Sequence, residues 1–310
     1  MVDSGSLFER AVSAPPVPRG LPLVIALTGF TDAGAAVSQL IEYLRDDLES
    51  FPLAVFDNDI LLDFRARRPI VSFDGDRLTD YQPSRLELSF ARDAMGQPFL
   101  MLTGYEPDFA WEAFSRAVLG LAAEYGVSTV TWINSIPMPV PHTRPIGTTV
   151  SGTRAELTAA HSVWRPHTQV PGTVAHLLEF RLAQTETPVA GFVLLVPHYL
   201  GDTEYPAATL AALDSISAAT GLVFDGDDLR AQNKQFLTRV EQQVGESDDL
   251  TRMLHGLEER YDAYMAGSTS ATPMVHTGDL PSADELAAEL ERFLASRPSG
   301  DEDKRPGTLG

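Results

Sequence analysis

The run Pro22-Leu23-Val24-Ile25-Ala26-Leu27-Thr28 stops at Gly29, and a helical pattern opens at Asp32. A buried strand, a tight turn and a helix N-terminus in that order form the opening unit of a parallel α/β sheet. The same grammar returns three more times. Pro98–Gly104 runs into Tyr105-Glu106-Pro107-Asp108, Ser128–Ile133 into the proline-dense Asn134–Pro145, and Val189–Val196 into Pro197–Pro206. Helices are predicted behind these turns. Val37, Leu40, Ile41, Leu44 and Leu48 recur at helical spacing to Glu49, and Trp111, Phe114, Val118, Leu121 and Ala122 do so after Asp108, a predicted N-cap. Two more are predicted over Gly172–Thr185 and Ala207–Thr220. Pro52–Phe56 reads as a further core strand, Ile70–Phe73 and Arg85–Phe90 as hairpin or edge strands, and Thr148–Thr153 as a strand.

The period sets the organisation. Residues 1–20, with Pro15, Pro16 and Pro18 and no sustained pattern, are expected to be an arm, free or partly ordered against the body, and residues 21–224 the α/β domain. From Asp225 the pattern is helical alone. One stripe is Leu229, Phe236, Val240 and Val244; a second is Leu250, Met253, Leu254, Leu257, Tyr261, Tyr264 and Met265. Gly245-Glu246-Ser247 separates them, which predicts an antiparallel helical hairpin over 225–266. Residues 267–281 read as linker. Ser282 and Glu285 form a capping-box pattern ahead of an amphipathic helix over 282–296, and 297–310 is an expected disordered tail.

Charge and composition remove several function classes. The formal charge of −20 opposes nucleic-acid binding, which needs a basic face, and Arg65-Ala66-Arg67-Arg68 is the one basic cluster. Lys234 and Lys304 are the only lysines, both after the α/β portion, so Schiff-base chemistry and a P-loop are unsupported. There is no cysteine, no H-x-H and no H-E-x-x-H, and no metal or cofactor is expected. Apolar runs are of strand length, too short to span a membrane. Residues 1–20 lack a basic-then-apolar leader pattern, and a cytoplasmic location is expected.

Ligands of open α/β sheets bind outside the carboxyl ends of the strands. The four turns there offer Asp32, Glu106, Ser135, His142 and His198 as candidate acid, base or nucleophile groups. Gly29, Thr31, Asp32, Asn134, Arg144 and Tyr199 are candidate ligand-binding residues. The helix N-terminus at Asp32 would meet an anion, His142 and His198 titrate near neutrality, and Arg144 would clamp a carboxylate or phosphate. Each has a plainer use: Asp32 as a helix cap, the histidines as hydrogen-bonding loop residues, Arg144 as the partner of an acid. No G-x-S-x-G elbow surrounds Ser135.

Ala26–Gly34, the Ile133–Pro145 turn and Val196-Pro197-His198-Tyr199 together resemble the PAC2 family, named for a proteasome assembly chaperone, in its actinobacterial branch. The resemblance covers residues 21–265. It implies a three-layer α/β/α sandwich similar to the purine nucleoside phosphorylase/hydrolase-like fold, often built into homo-oligomers, with a trimer favoured. Proteasome-docking members of related chaperone groups end in a hydrophobic residue, tyrosine and any residue, which Thr308-Leu309-Gly310 does not reproduce. The favoured function is a non-catalytic assembly-chaperone-like or interaction protein, with the 225–266 hairpin available to a protein partner. The alternative is a nucleoside phosphorylase- or hydrolase-like enzyme with a deep pocket walled by Asp32, Glu106, Asn134, His142 and His198.

Overall fold

The computed structural model describes residues 7–12, 15–165 and 167–267. Eight strands form one sheet: β1 (Phe8–Arg10), β2 (Pro22–Thr28), β3 (Ser50–Phe56), β6 (Glu87–Arg92), β7 (Pro98–Tyr105), β8 (Thr129–Met138), β9 (Gly147–Gly152) and β10 (Val189–Pro197). Their order is β1-β3-β6-β7-β2-β8-β10-β9, while β4 (Ile70–Asp74) and β5 (Arg77–Gln82) pair only with each other. The four runs that shared one grammar, β7, β2, β8 and β10, lie side by side and parallel; the outer strands are antiparallel. Ile25 of β2 faces Leu102 on one side and Trp132 on the other, which sets the register of the centre.

Helices cover both faces. They are α1 (Ala36–Glu42, widening into a π-helical turn at Tyr43–Asp47), α2 (Asn58–Leu61), α3 (Trp111–Tyr125), α4 (Ala155–His161), α5 (Val174–Leu182), α6 (Pro206–Thr220), α7 (Asp227–Gly245) and α8 (Asp248–Gly267). Because successive strand residues point to opposite faces, β2 divides its side chains between two cores. Leu23, Ile25 and Leu27 pack with Phe114, Val118 and Leu121 of α3 and Leu178 of α5. Val24 and Ala26 pack with Val37 and Leu40 of α1 and Ala208, Ala212 and Ile216 of α6. At β8–β10, Gly191 lies opposite Trp132, and a Cβ on Gly191 would stand 2.1 Å from the indole Cε2. Only glycine admits that ring, whose Nε1 donates to Glu179 Oε2 at 2.8 Å.

Three expectations change, and the arm gains a strand. The segment predicted as an edge or hairpin strand from Arg85 is β6, an interior strand between β3 and β7. Its polar Glu87 and Ser89 are buried, with Glu87 neutralised by Arg85 at 2.7 Å. Part of the expected arm is ordered: β1 pairs antiparallel with β3. Asp108 does not cap α3, which begins three residues later behind Ala110 in a left-handed conformation. Its carboxylate instead accepts from the Asp63 amide at 2.7 Å and Arg67 Nη2 at 2.9 Å. Finally, α4 joins the elements expected from the pattern. Apart from Gly267, the expected linker, the 282–296 helix and the tail lie outside the described residues.

The consecutive helices α7 and α8 touch the body along one side. Phe236 of α7 packs its ring 5.3 Å from Tyr205, whose hydroxyl burial pushes up to about 12. Val240, Leu257 and Tyr261 are their buried residues. Among the described residues no helix is long and apolar enough to cross a membrane.

Candidate functional site

The strand-end turns converge through their backbones. The Gly34 amide donates to Gly201 O at 2.7 Å, Tyr205 N donates to Gly34 O at 2.9 Å, and Thr31 Oγ1 donates to Ser135 O at 3.1 Å. Their polar side chains separate into three groups.

The first belongs to α1. Asp32 Oδ1 accepts from the Val37 amide at 2.7 Å, and Oδ2 accepts from the Ser38 amide at 2.9 Å and the Ser38 hydroxyl at 2.6 Å. These are first-turn donors that a helix leaves unpaired. The expected anion at this N-terminus is therefore the chain's own carboxylate. Ser135 is fully buried, and its hydroxyl donates to Asp32 Oδ1 at 3.3 Å. Its contact is a helix cap, with no histidine in it.

The second group belongs to α5, on the opposite face of the sheet. Glu106 is 7% exposed, and its Oε1 accepts from the Val174 amide, the first of α5, at 2.5 Å. Thr173 caps the same helix by accepting from the His176 amide, and His176 Nδ1 returns to the Thr173 amide at 3.0 Å. Burial pushes the Glu106 carboxyl above its ordinary value; the Val174 amide and the Arg67 guanidinium partly offset this. Gly29 lies against the carboxylate, so that a Cβ there would stand 2.5 Å from Oε2. Leu27, Gly29, Phe30, Glu106, Asn134 and Thr173 line a cavity of about 10 Å³, room for roughly one water. Asn134 Oδ1 accepts from the Ser135 amide at 2.8 Å.

The third group sits beneath α7 and α8. Tyr199 Oη accepts from the His142 amide at 2.8 Å and lies 2.7 Å from His142 Nδ1. Burial pushes the Tyr199 phenol up and the His142 imidazole down. The His198 ring stands edge-on to Tyr199 at 5.4 Å. Arg144 grips Asp262 of α8 with two hydrogen bonds, at 2.9 and 2.7 Å, and Thr143 Oγ1 donates to Glu258 at 2.5 Å.

The structure thus brings Asp32, Thr31 and Ser135 together, and Gly29, Glu106 and Asn134 together. His142, Tyr199 and His198 form a separate cluster, and Arg144 points to α8. No arrangement of nucleophile, base and orienting group results. Of the residues expected to wall a deep pocket, Asp32 is turned to α1 and Glu106 to α5, and only Glu106 and Asn134 line the cavity described above. Among the described residues no group of three or more acidic or histidine side chains is placed to hold a metal.

A further feature had a weak sequence signal. Every residue of β4 and β5 is exposed, and the hairpin carries Phe73 at 73%, Ile70 at 68%, Leu78 at 64% and Tyr81 at 57% exposure. Phe73 and Leu78 are cross-strand partners. The two-residue Gly75-Asp76 loop after Asp74, between apolar runs, was the available signal. The hairpin root is fixed to the site: Arg67 Nη1 donates to Glu106 O at 2.7 Å, and Asn58 links Tyr105 Oη at 2.6 Å to Ser84 O at 2.7 Å.

A family model described as the PAC2 family matches residues 26–244. No curated protein matches the sequence significantly. Among solved structures, a protein of unknown function from Corynebacterium glutamicum is similar at 34% identity and TM-score 0.80, over 84% of this chain and 98% of its own. A Mycobacterium tuberculosis protein of unknown function is similar at 37% identity and TM-score 0.79, over 84% and 92%. The M. tuberculosis proteasome-assembly chaperone homologue shares the fold at 21% identity and TM-score 0.68, over 76% of this chain and all of its own. With a family match over well over half its length, and two structures above 30% identity along most of it, the chain belongs to the PAC2 family.

Proposed function

We propose that this chain is a non-catalytic, oligomeric interaction protein of the assembly-chaperone type, working in the cytoplasm. The observation that carries the reading is a contrast. At the strand ends Asp32 and Ser135 serve the cap of α1, Glu106 binds the first amide of α5, and the cavity beside Glu106 is about 10 Å³, whereas a small-molecule site needs about 300 Å³ or more. At the rim, an apolar two-stranded hairpin stands bare. Exposed apolar surface of that kind marks an interaction site. The likeness to a proteasome-assembly chaperone homologue supports the same class. In this reading the scaffold is a phosphorylase/hydrolase-like sandwich, with α7–α8 as an antiparallel hairpin offering its outer side to a protein partner.

The hairpin's occupant is a second copy of this chain. Residues 63–85 hold five arginines and four aspartates, which leaves them at +1 and the rest of the chain at −21. A near-neutral, arginine-bearing apolar arm complements the acidic body of another copy and relieves repulsion between bodies. The test is light scattering on the full chain and on a Phe73→Asp/Leu78→Asp variant. The wild type is expected as a defined oligomer, with a trimer the favoured number, and the variant as a monomer with an unchanged melting temperature. A monomeric wild type at tens of micromolar, or an oligomeric variant, overturns the self-association. Robust turnover in a nucleoside and ester substrate screen, abolished by Glu106→Gln or Ser135→Ala, overturns the non-catalytic reading separately.

A further inference from the structure

The seat of α7 and α8 contains a titratable group that neither the caps nor the hairpin uses. His142 lies in the segment between β8 and β9, is 7% exposed, and is followed directly in sequence by Thr143 and Arg144, which hold α8. Tyr199 Oη receives the His142 backbone N–H at 2.8 Å and sits 2.7 Å from Nδ1. With the imidazole proton on Nε2, the Tyr199 hydroxyl donates to Nδ1. Nε2 is buried without a hydrogen-bonding partner among the described residues. The charged groups facing the ring are Glu241 from α7 and Glu258 from α8; Tyr199, itself flanked by His198, faces it from the turn after β10. Glu258 is already shared with Thr143 and, at 3.6 Å, with Arg144.

We propose that His142 is a proton-sensing latch on the α7–α8 pair, whose neutral ring closes the seat and whose protonation loosens the two helices from the body. A proton on Nδ1 displaces the Tyr199 hydroxyl hydrogen from its acceptor, and the buried imidazolium then has no hydrogen-bond acceptor at Nε2 among the described residues. Burial outweighs the two glutamates and holds the imidazole below its ordinary value. The sign follows. An undocked, solvated His142 binds its proton near pH 6.5, and the docked one only at lower pH. Docking is therefore fully favourable above about 6.5 and weakens by up to about tenfold per pH unit between that value and the docked one.

Hydrogen exchange on the full chain reads this directly, as the protection of α8 amides relative to β2 amides at pH 7.5, 6.5 and 5.5. In the wild type the ratio is expected to hold from 7.5 to 6.5 and to fall several-fold by 5.5. In His142→Phe and His142→Gln it is expected to stay flat. A constant wild-type ratio overturns the latch. So does an equal fall in the two variants, which would assign the effect to the carboxylates on α8. Should neither variant fold, the wild-type imidazole titration by NMR keeps the test open. A His142 midpoint at or above 6.5, or one that the α8 amides do not follow, is equally contrary.

Discussion

Replacing Gly29 by alanine tests the packing of Glu106 between the ends of β2, β7 and α5. The new Cβ would lie 2.5 Å from Glu106 Oε2, 3.1 Å from Cδ and 3.3 Å from Cβ. Gly29 is not among the residues with positive φ, so the penalty is steric. A carboxylate on a flexible exposed chain would swing away. This one is 7% exposed and bound to the Val174 amide at 2.5 Å, so yielding means giving up a buried, charge-assisted hydrogen bond. Overpacking of this kind costs about 1–3 kcal/mol, comparable to the roughly 1.5–3 kcal/mol of a hydrogen bond to a charged group. Glu106→Ala alone leaves the Val174 N–H without its acceptor, about 1–3 kcal/mol. Together the two substitutions relieve each other: with the carboxylate gone, the Gly29→Ala increment should fall below about 0.5 kcal/mol. Urea unfolding of the four proteins gives the coupling, expected at about 1–2 kcal/mol. Additivity within about 0.3 kcal/mol would refute the contact as the reason for glycine at position 29.

Other outcomes are equally concrete. Because burial raises the Glu106 carboxyl in the folded chain, folding favours its protonated form. The wild type should gain stability relative to Glu106→Gln as pH falls from 7 toward the ordinary value of about 4.3; a stability difference independent of pH in urea melts would contradict this. Asp32→Ala removes the acceptor of the Val37 and Ser38 amides and should cost about 1–2 kcal/mol. By calorimetry that is a fall in melting temperature of about 2–8 °C. Gly191→Ala forces the buried Trp132 from its seat and should cost at least about 3 kcal/mol, with red-shifted tryptophan emission as a second readout.

The centre of the sheet was legible because β2, β7 and β10 are covered on both faces and read as apolar runs, and β8, with Thr129, Thr131, Asn134 and Ser135 among its apolar residues, was marked by the proline-dense turn that follows it. β6 was not, since Glu87 and Ser89 alternate with Leu88 and Phe90 in the manner of a half-exposed strand. The charge of its buried Glu87 is met by Arg85 just ahead of the strand and by Arg45, about 40 residues earlier in the chain, which the local pattern does not reveal. β1 is three residues long and carries no period at all. At the site, Asp32 as a cap followed from residue type and position. The Glu106–Val174 bond spans 68 residues and the His142–Tyr199 pair 57, and local spacing holds no trace of either. Arg144 offered the right chemistry with several acids to choose from, and only packing of α8 selects Asp262.

The carboxylate of Glu106 has one consequence for how such a crevice changes over generations. In nucleotide-binding open α/β sheets, the first amides of a helix beside the sheet face a guest anion. Here a resident side chain occupies the equivalent position on α5, delivered from the end of β7. The crevice is self-liganded, and its closure depends on a single side chain. Shortening Glu106 would free one helix amide together with the volume of a carboxylate, next to the Phe30 ring that is 72% exposed at the entrance. Formate or acetate restoring the melting temperature of Glu106→Ala would register that vacancy. On this scaffold one substitution would then turn a capped helix end into a receptor for a small acid.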